Sequence, residues 1–414
     1  MHKNFLLITL LLSQAAIPAA IAGPISAGFA KALQNDSQFL AASAERDSAE
    51  YAAAAGVAQY APELRATRVQ GETESAARTT YTVSQPIFDS SRLVSVFEND
   101  PRRKLAEATY LSREQDLAQR YFKAVAESMK AVEYVRLNHA RITAVQQQAR
   151  SAKRSFESGI GTITDLRDAE VRLNQAEASQ ASLIAQKNHA FRQLALMLGE
   201  MPSESFLTLP LDAPKLPLPE SQVSKQLAVE SGTQMEAARQ NQRLAELGAI
   251  RAKGAFLPVL SFVHQRSEIN NTRSNYSGMS VTIPIGLSSA LQASSASAAA
   301  LKQRYQTEDT ENKVRLDVER LLDSVNAGFA EVDIRLQAIS AAELSVESNE
   351  RSYKGGIKST VDVLNAIQTL VQTRQDYVTA KLALAENLLN LKLQMAVPTA
   401  DAISETEVLL RGRN

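Results

Sequence analysis

The chain has 414 residues and carries 45 basic and 45 acidic side chains, so its zero net charge gives no electrostatic reason to expect a nucleic-acid partner. It contains no cysteine, which excludes disulfides, thiolate metal sites and a lipidated N-terminal cysteine. Tryptophan is absent and aromatics are only 5% of the chain, while alanine, glutamine, serine and leucine abound, a composition that suits long helices.

Residues 1–22 read as a secretory signal peptide: one charge at Lys3, the apolar run from Phe5 to Leu12, and a small-x-small pattern at Ala20, Ile21 and Ala22 before Gly23. That run is too short to span a bilayer, and no later stretch supplies the roughly 20 apolar residues a membrane helix needs. An exported chain of this kind is either soluble beyond the inner membrane or enters a membrane as a barrel. Residues 25–55 follow with a helical pattern. Between Pro62 and Phe88 the period drops to two, with Tyr81, Val83 and Ile87 alternating with Thr80, Thr82 and Ser84, and residues 64–70 form the weaker partner strand of this β-hairpin.

From residue 90 to 155 no strong breaker follows Pro101, which predicts roughly 60 residues of helix, near 90 Å long. A partner helix covers 162–198, its seam positions polar in the middle at Glu170, Glu177, Gln180 and Lys187. Residues 200–220 hold Pro202, Pro210, Pro214, Pro217 and Pro219 and read as an extended linker, a surface strap around the helices. The order then repeats over 221–396: a helix, a β-hairpin over 258–286 and a long helical hairpin over 288–396. In this second β-hairpin, Leu260, Phe262 and His264 oppose Ser261 and Gln265, with Val263 the exception. Met279, Val281, Ile283 and Ile285 then alternate with Ser280 and Thr282, and residues 268–275 form a polar loop between the two strands. Proline stands at each hairpin's strand ends: Pro62, Pro86, Pro258 and Pro284. In the last long helix Val363, Ile367, Leu370, Tyr377, Leu384, Leu388, Leu391 and Met395 keep a 4,3 rhythm, interrupted at Arg374 and Lys381, as expected for coiled-coil packing with one face on water. The tail, 397–414, begins at Pro398 and its pattern supports no assignment. His2, His139, His189 and His264 fall in the leader and in three separate elements, without metal-ligand spacing.

The two halves are copies. Phe156, Gly159 and Ile160 recur 197 residues later as Tyr353, Gly356 and Ile357, and Asp165 recurs as Asp362. A period this long is a duplicated domain half, 23–199 and 221–396, rather than a solenoid. Four strands cannot close a barrel, for which about eight is the practical minimum. Either the chain oligomerises or its strands lie outside the membrane. A glycine at Gly159 and Gly356 suits the left-handed residue that ends one long helix before the chain turns back.

With these residues the chain resembles the TolC-type outer membrane efflux protein family. The motif runs from Phe156 through Gly159 to Thr164 and Asp165, and its twin from Tyr353 through Gly356 to Val361 and Asp362; residues 85–89 resemble the family's strand-to-helix transition. The resemblance implies a mainly α fold with a membrane β-barrel portion: a homotrimer whose four strands per chain close one barrel in outer-membrane lipid, above a periplasmic tunnel of helical hairpins. It implies a passive exit duct, not an enzyme, for type I protein secretion or small-molecule efflux, docked to a periplasmic adaptor and an inner-membrane pump or ABC transporter. Many drug-efflux relatives are lipidated, so the lack of a cysteine leans toward secreted protein. Carried over by motif position, Tyr353 and Lys358 latch against Thr164 and Asp165 as a periplasmic gate, and Asp362 belongs to an acidic ring at the entrance. Lysine replaces the family's common arginine at 358, losing the bidentate fork, and Asn365 replaces an aspartate of the ring. No cofactor is implied. The competing class is a periplasmic coiled-coil scaffold or adaptor without a pore, which accounts for the heptads and the leader but poorly for the paired hairpins.

Overall fold

The computed structural model describes residues 23–70, 78–204, 207–212, 216–269, 272–284 and 286–411. The expected leader and the tip of the first β-hairpin lie outside the described residues. The first copy contains α1 (Pro24–Asn35), α2 (Ser37–Ala58), β1 (Glu63–Val69), β2 (Arg78–Phe88), α3 (Ser90–Phe97), α4 (Asn99–Glu157) and α5 (Ile163–Leu198). The second contains α6 (Ser221–Ser231), α7 (Thr233–Gly254), β3 (Val259–Ile269), β4 (Thr272–Thr282), α8 (Leu287–Lys354) and α9 (Thr360–Gln394), and α10 (Thr399–Arg411) closes the chain.

Three expected single helices are each two. The segment 25–55 breaks at Asp36, whose side chain accepts from the Phe39 amide and caps α2, and the second copy breaks at the matching Gly232. The helix expected to run unbroken from residue 90 is interrupted at Glu98. Pro101 supplies the reason, since it lacks an N–H and its ring crowds the carbonyl four residues back, at Phe97. The second copy has no proline there, and α8 continues for 68 residues.

The four strands form one antiparallel sheet in the order β1-β2-β3-β4, so the two copies meet at β2 and β3 while β1 and β4 keep open edges. The register sorts the side chains onto two faces. One carries Leu64 opposite Val83, Ala66 opposite Tyr81, Leu260 opposite Val281 and Phe262 opposite Met279. The other carries Thr67 opposite Thr80, Ser84 opposite Val263 and Ser267 opposite Ser274, with Thr80 Oγ1 and Ser267 Oγ 3.0 Å apart. Along the apolar face, away from the helices, side chains turn charged at Arg68, Arg266, Glu268 and Arg273. The residues expected to form a long polar loop, 268–275, are mostly strand: β3 runs to Ile269 and β4 starts at Thr272. Ile283 lies beyond β4, and Pro86 sits inside β2 at a register shift rather than at its end, where a missing N–H is tolerated.

Below the sheet, α2, α4, α7 and α8 lie side by side, and farther down α5, α4, α9 and α8 do so. A belt of α1, α6, α10 and the strap covers these helices about midway, and the main core lies beneath it, with Leu117, Tyr121, Phe122, Val318, Leu384, Leu388, Leu207 and Leu410 all buried. The strap is tied down rather than loose: Leu207 and Leu209 are buried, the Leu209 amide donates to Glu133 Oε1 at 3.3 Å, and Lys381 Nζ donates to the Pro210 carbonyl at 2.7 Å. Lys381, a polar interruption of the seam, is fully buried under the strap. Its ammonium also bonds the Asp212 carbonyl, and Tyr377 Oη donates to that same carbonyl at 3.1 Å. The polar middle of α5 is likewise occupied, since Gln180 Oε1 accepts from buried Asn138 on α4 at 2.8 Å and Lys187 pairs with Glu204 at 2.6 Å.

Candidate functional site

The ends of the two helical hairpins, about 90 Å of α4 away from the sheet, gather the residues that the motif singled out. Gly159 and Gly356 both have φ near +75° and both close a Schellman turn. In the first, the Gly159 amide donates to the Phe156 carbonyl and the Ile160 amide to Ser155; in the second, Gly356 donates to Tyr353 and Ile357 to Ser352. The next helix of each hairpin then starts at a hydroxyl cap 197 residues apart, Thr162 for α5 and Ser359 for α9. Ile160 and Ile357 project from the two turns, 87% and 81% exposed.

Each aspartate of the motif is engaged at its own helix start. Thr162 Oγ1 donates to Asp165 Oδ2 at 2.6 Å and accepts from the Asp165 amide at 3.1 Å. Asp362 completes a capping box with Ser359, and the Ser359 backbone and side-chain hydrogen bonds, in that order, with the nearby Lys358 charge, hold its carboxyl below the ordinary carboxylate range. Lys358 Nζ lies 3.8 Å from Asp362 Oδ1, one helical turn along the chain. Tyr353 is half buried against a small core of Val145, Ala169, Val363, Leu364 and Ile367 that joins the two hairpins. Thr164 is exposed. Among the described residues, no hydrogen bond or ion pair joins Thr164 or Asp165 to Tyr353 or Lys358 within one chain.

A different pair does bridge the hairpins: Arg172 Nη2 on α5 donates to Asn365 Oδ1 on α9 at 2.8 Å. Arg172 escaped sequence reasoning because the second copy has Thr369 at the matching position, so the duplication gives it no echo. Asn365 was visible only as a departure from an acidic ring.

No helix among the described residues is long and apolar enough to cross a membrane, and no cluster of potential metal ligands occurs among them. The exposed apolar band lies instead on a sheet with two open edges, carried on antiparallel hairpins of great length. Such a chain has the architecture of an outer-membrane channel protein. It belongs to the outer membrane efflux protein family, whose pattern matches residues 29–200 and 225–396, one match per copy. The family consists of channel proteins, not enzymes.

Among relatives, the proteases secretion protein PrtF of Dickeya chrysanthemi is 26% identical over 447 residues, covering 99% of this chain and 94% of PrtF. The outer membrane protein TolC of Vibrio cholerae is 23% identical over 405 residues, covering 92% and 91%. The alkaline protease secretion protein AprF of Pseudomonas aeruginosa is 23% identical, covering 85% and 82%. Of solved structures, CusC matches with a TM-score of 0.74 at 15% identity, over 90% of this chain and 91% of that one. VceC of Vibrio cholerae matches with a TM-score of 0.73 at 17% identity, over 92% and 96%. The fold and the outer-membrane location stand on these matches.

Proposed function

We propose that the protein is the passive exit duct of a tripartite exporter for secreted protein. In this reading three copies join β4 of one to β1 of the next, closing a barrel of three times the four strands of one chain. The observation that carries it is the sheet itself. Leu64, Met279 and Val281 are more than half exposed in the single chain, and the edges of β1 and β4 bear unmet backbone groups. Lipid tolerates neither an open edge nor an unpaired amide, so the strands need sister strands. The Ser/Thr face then lines a wet lumen.

Protein rather than drug cargo is favoured by PrtF and AprF, both named for protease secretion. The energy comes from an inner-membrane ABC transporter. A periplasmic adaptor docks at the tips, where Ile160 and Ile357 offer apolar contacts. The tip residues form the gate: Tyr353 and Lys358 latch to Thr164 and Asp165 of a neighbouring hairpin in the trimer, and Asp362 lines the mouth. Each such hydrated link is worth about 0–1 kcal/mol, so a ring of them closes the mouth yet yields to a docked adaptor.

The test is complementation. In cells that carry a type I protease transporter and its adaptor but no outer-membrane component, this protein restores extracellular protease without altering drug susceptibility. Restored drug resistance with no secreted protease overturns the cargo assignment. A purified protein that stays monomeric and never conducts in planar bilayers overturns the duct itself.

A further inference from the structure

A cleft of about 550 Å³ opens over α4 between α2 and α7 and is not used by the exit-duct reading. Its volume lies within the roughly 300–1,000 Å³ of small-molecule sites. The floor and walls are apolar where Ala49, Leu105, Ala106 and Leu244 face one another. The rim carries Arg46, Arg102, Arg113 and Arg251 together with Glu45 and Glu98, and Asp47, Glu107 and Glu114 lie near Tyr110.

The arginines are not equivalent. Buried Glu98 takes Arg102 at 2.8 Å and Arg251 at 2.5 Å, and Arg46 pairs with Asp47 while lying over the Tyr110 ring at 4.5 Å. Arg113 and the Tyr110 hydroxyl, one turn apart, have no hydrogen-bond or ion-pair partner among the described residues. At the other end of the cleft Arg251 is already engaged by Glu98 and Ser95. A free guanidinium and phenol beside an apolar channel suit an elongated ligand with an anionic head.

Gly248 strengthens the case. It stands in the middle of α7, where glycine is a poor helix former, and a side chain placed there meets nothing within 4 Å. Close helix packing therefore does not require this glycine. Its lack of a side chain leaves the cleft open.

We infer that this cleft binds an amphiphilic organic anion, with a carboxylate or phosphate held by Arg113 and Tyr110 and an apolar chain lying along Leu105, Ala106 and Leu244 past Gly248. The ligand is either a membrane phospholipid or a free fatty-acid-like molecule; both present the same chemistry.

The test uses the full chain in nanodiscs, titrated calorimetrically with sodium dodecanoate and corrected against empty nanodiscs. Wild type shows one saturable site per chain, Arg113→Gln weakens it about tenfold, the loss of one charge-assisted contact, and Gly248→Leu abolishes it while melting no lower than wild type. Dodecyltrimethylammonium, of opposite charge, does not bind. Equal dodecanoate affinity in wild type and Gly248→Leu, or equal affinity for the cationic amphiphile, overturns the site. Weaker dodecanoate binding in phosphatidylglycerol than in phosphatidylcholine nanodiscs identifies a lipid occupant, and equal binding in both identifies a free amphiphile. Conductance of Gly248→Leu stays that of wild type, so failure here is separable from failure of the duct.

Discussion

At the residue scale, a cap, a turn and the proposed gate carry consequences that can be measured. Burial of the Asp36 carboxyl opposes its ionisation, yet Arg120, bonded at 3.0 and 3.2 Å, and the Phe39 amide outweigh this and hold it below its ordinary 3.8. A carboxylate lowered in the folded state stabilises fully above its unfolded value and loses that contribution as pH falls through the folded one. Asp36→Asn should therefore melt below wild type near neutral pH, and the two melting temperatures should converge once the pH falls below the lowered folded-state value; an undiminished gap in strong acid would count against the pair. Gly356 has open space around it, so Gly356→Ala costs only the left-handed conformation, about 1–2 kcal/mol, and should loosen the tip turn without a clash. Hydrogen exchange at the Ile357 amide reads this directly. At the proposed gate, the double variant Tyr353→Phe with Lys358→Ser is expected to raise single-channel conductance in planar bilayers, and Arg172→Ala to raise it further by freeing α5 from α9. Unchanged conductance in both sinks the latch.

At the element scale, the tail is the largest surprise. Residues 397–414 carry no strong pattern, yet α10 buries Ile403, Leu409 and Leu410 in the main core. Glu407 caps the start of the chain's first helix, accepting from the Ile25 amide at 2.9 Å, the Ser26 amide at 3.0 Å and Ser26 Oγ at 2.7 Å. The first and last helices among the described residues are thus fastened together, 382 residues apart in sequence. Truncation after Val397 should remove this cap and open the belt, lowering the melting temperature well beyond the effect of Leu410→Ala alone, which at full burial costs about 2–5 kcal/mol. The strap follows the same logic. Burial lowers the Lys381 pKa, against the pull of Asp212, and the strap carbonyls compensate the charge. Lys381→Met leaves the Pro210 carbonyl without its donor and the Asp212 carbonyl with Tyr377 alone, and should make the strap the first site of proteolytic cleavage.

At the scale of the whole molecule, the chain ends in a four-stranded sheet with two open edges, and the proposed trimer would close them. Because the chain lacks cysteine, single cysteines can be introduced cleanly. A cysteine scan pairing positions 65–68 on β1 with 274–278 on β4 should yield disulfide-linked trimers on non-reducing gels, and dimers as intermediates. Cross-linking confined to monomers would remove the barrel from the account.

The sequence alone settled the features that depend on local chemistry. Two φ-positive glycines, two hydroxyl caps and the alternation of Tyr81 and Val83 with Thr80 and Thr82 are written in neighbouring residues, and the 197-residue echo doubles each signal. Hence the fold class and the family were legible from the chain. The break at Glu98 also has a local cause, Pro101 and the carbonyl four residues behind it. What has no local signature was decided only in three dimensions. Lys381 looks solvent-facing until the strap crosses it, Glu407 looks like a surface charge until Ile25 arrives from the far end, and Arg172 finds Asn365 only because two hairpins lie side by side. Burial of a charge depends on which distant backbone supplies its partners, and a linear pattern of side chains does not specify that.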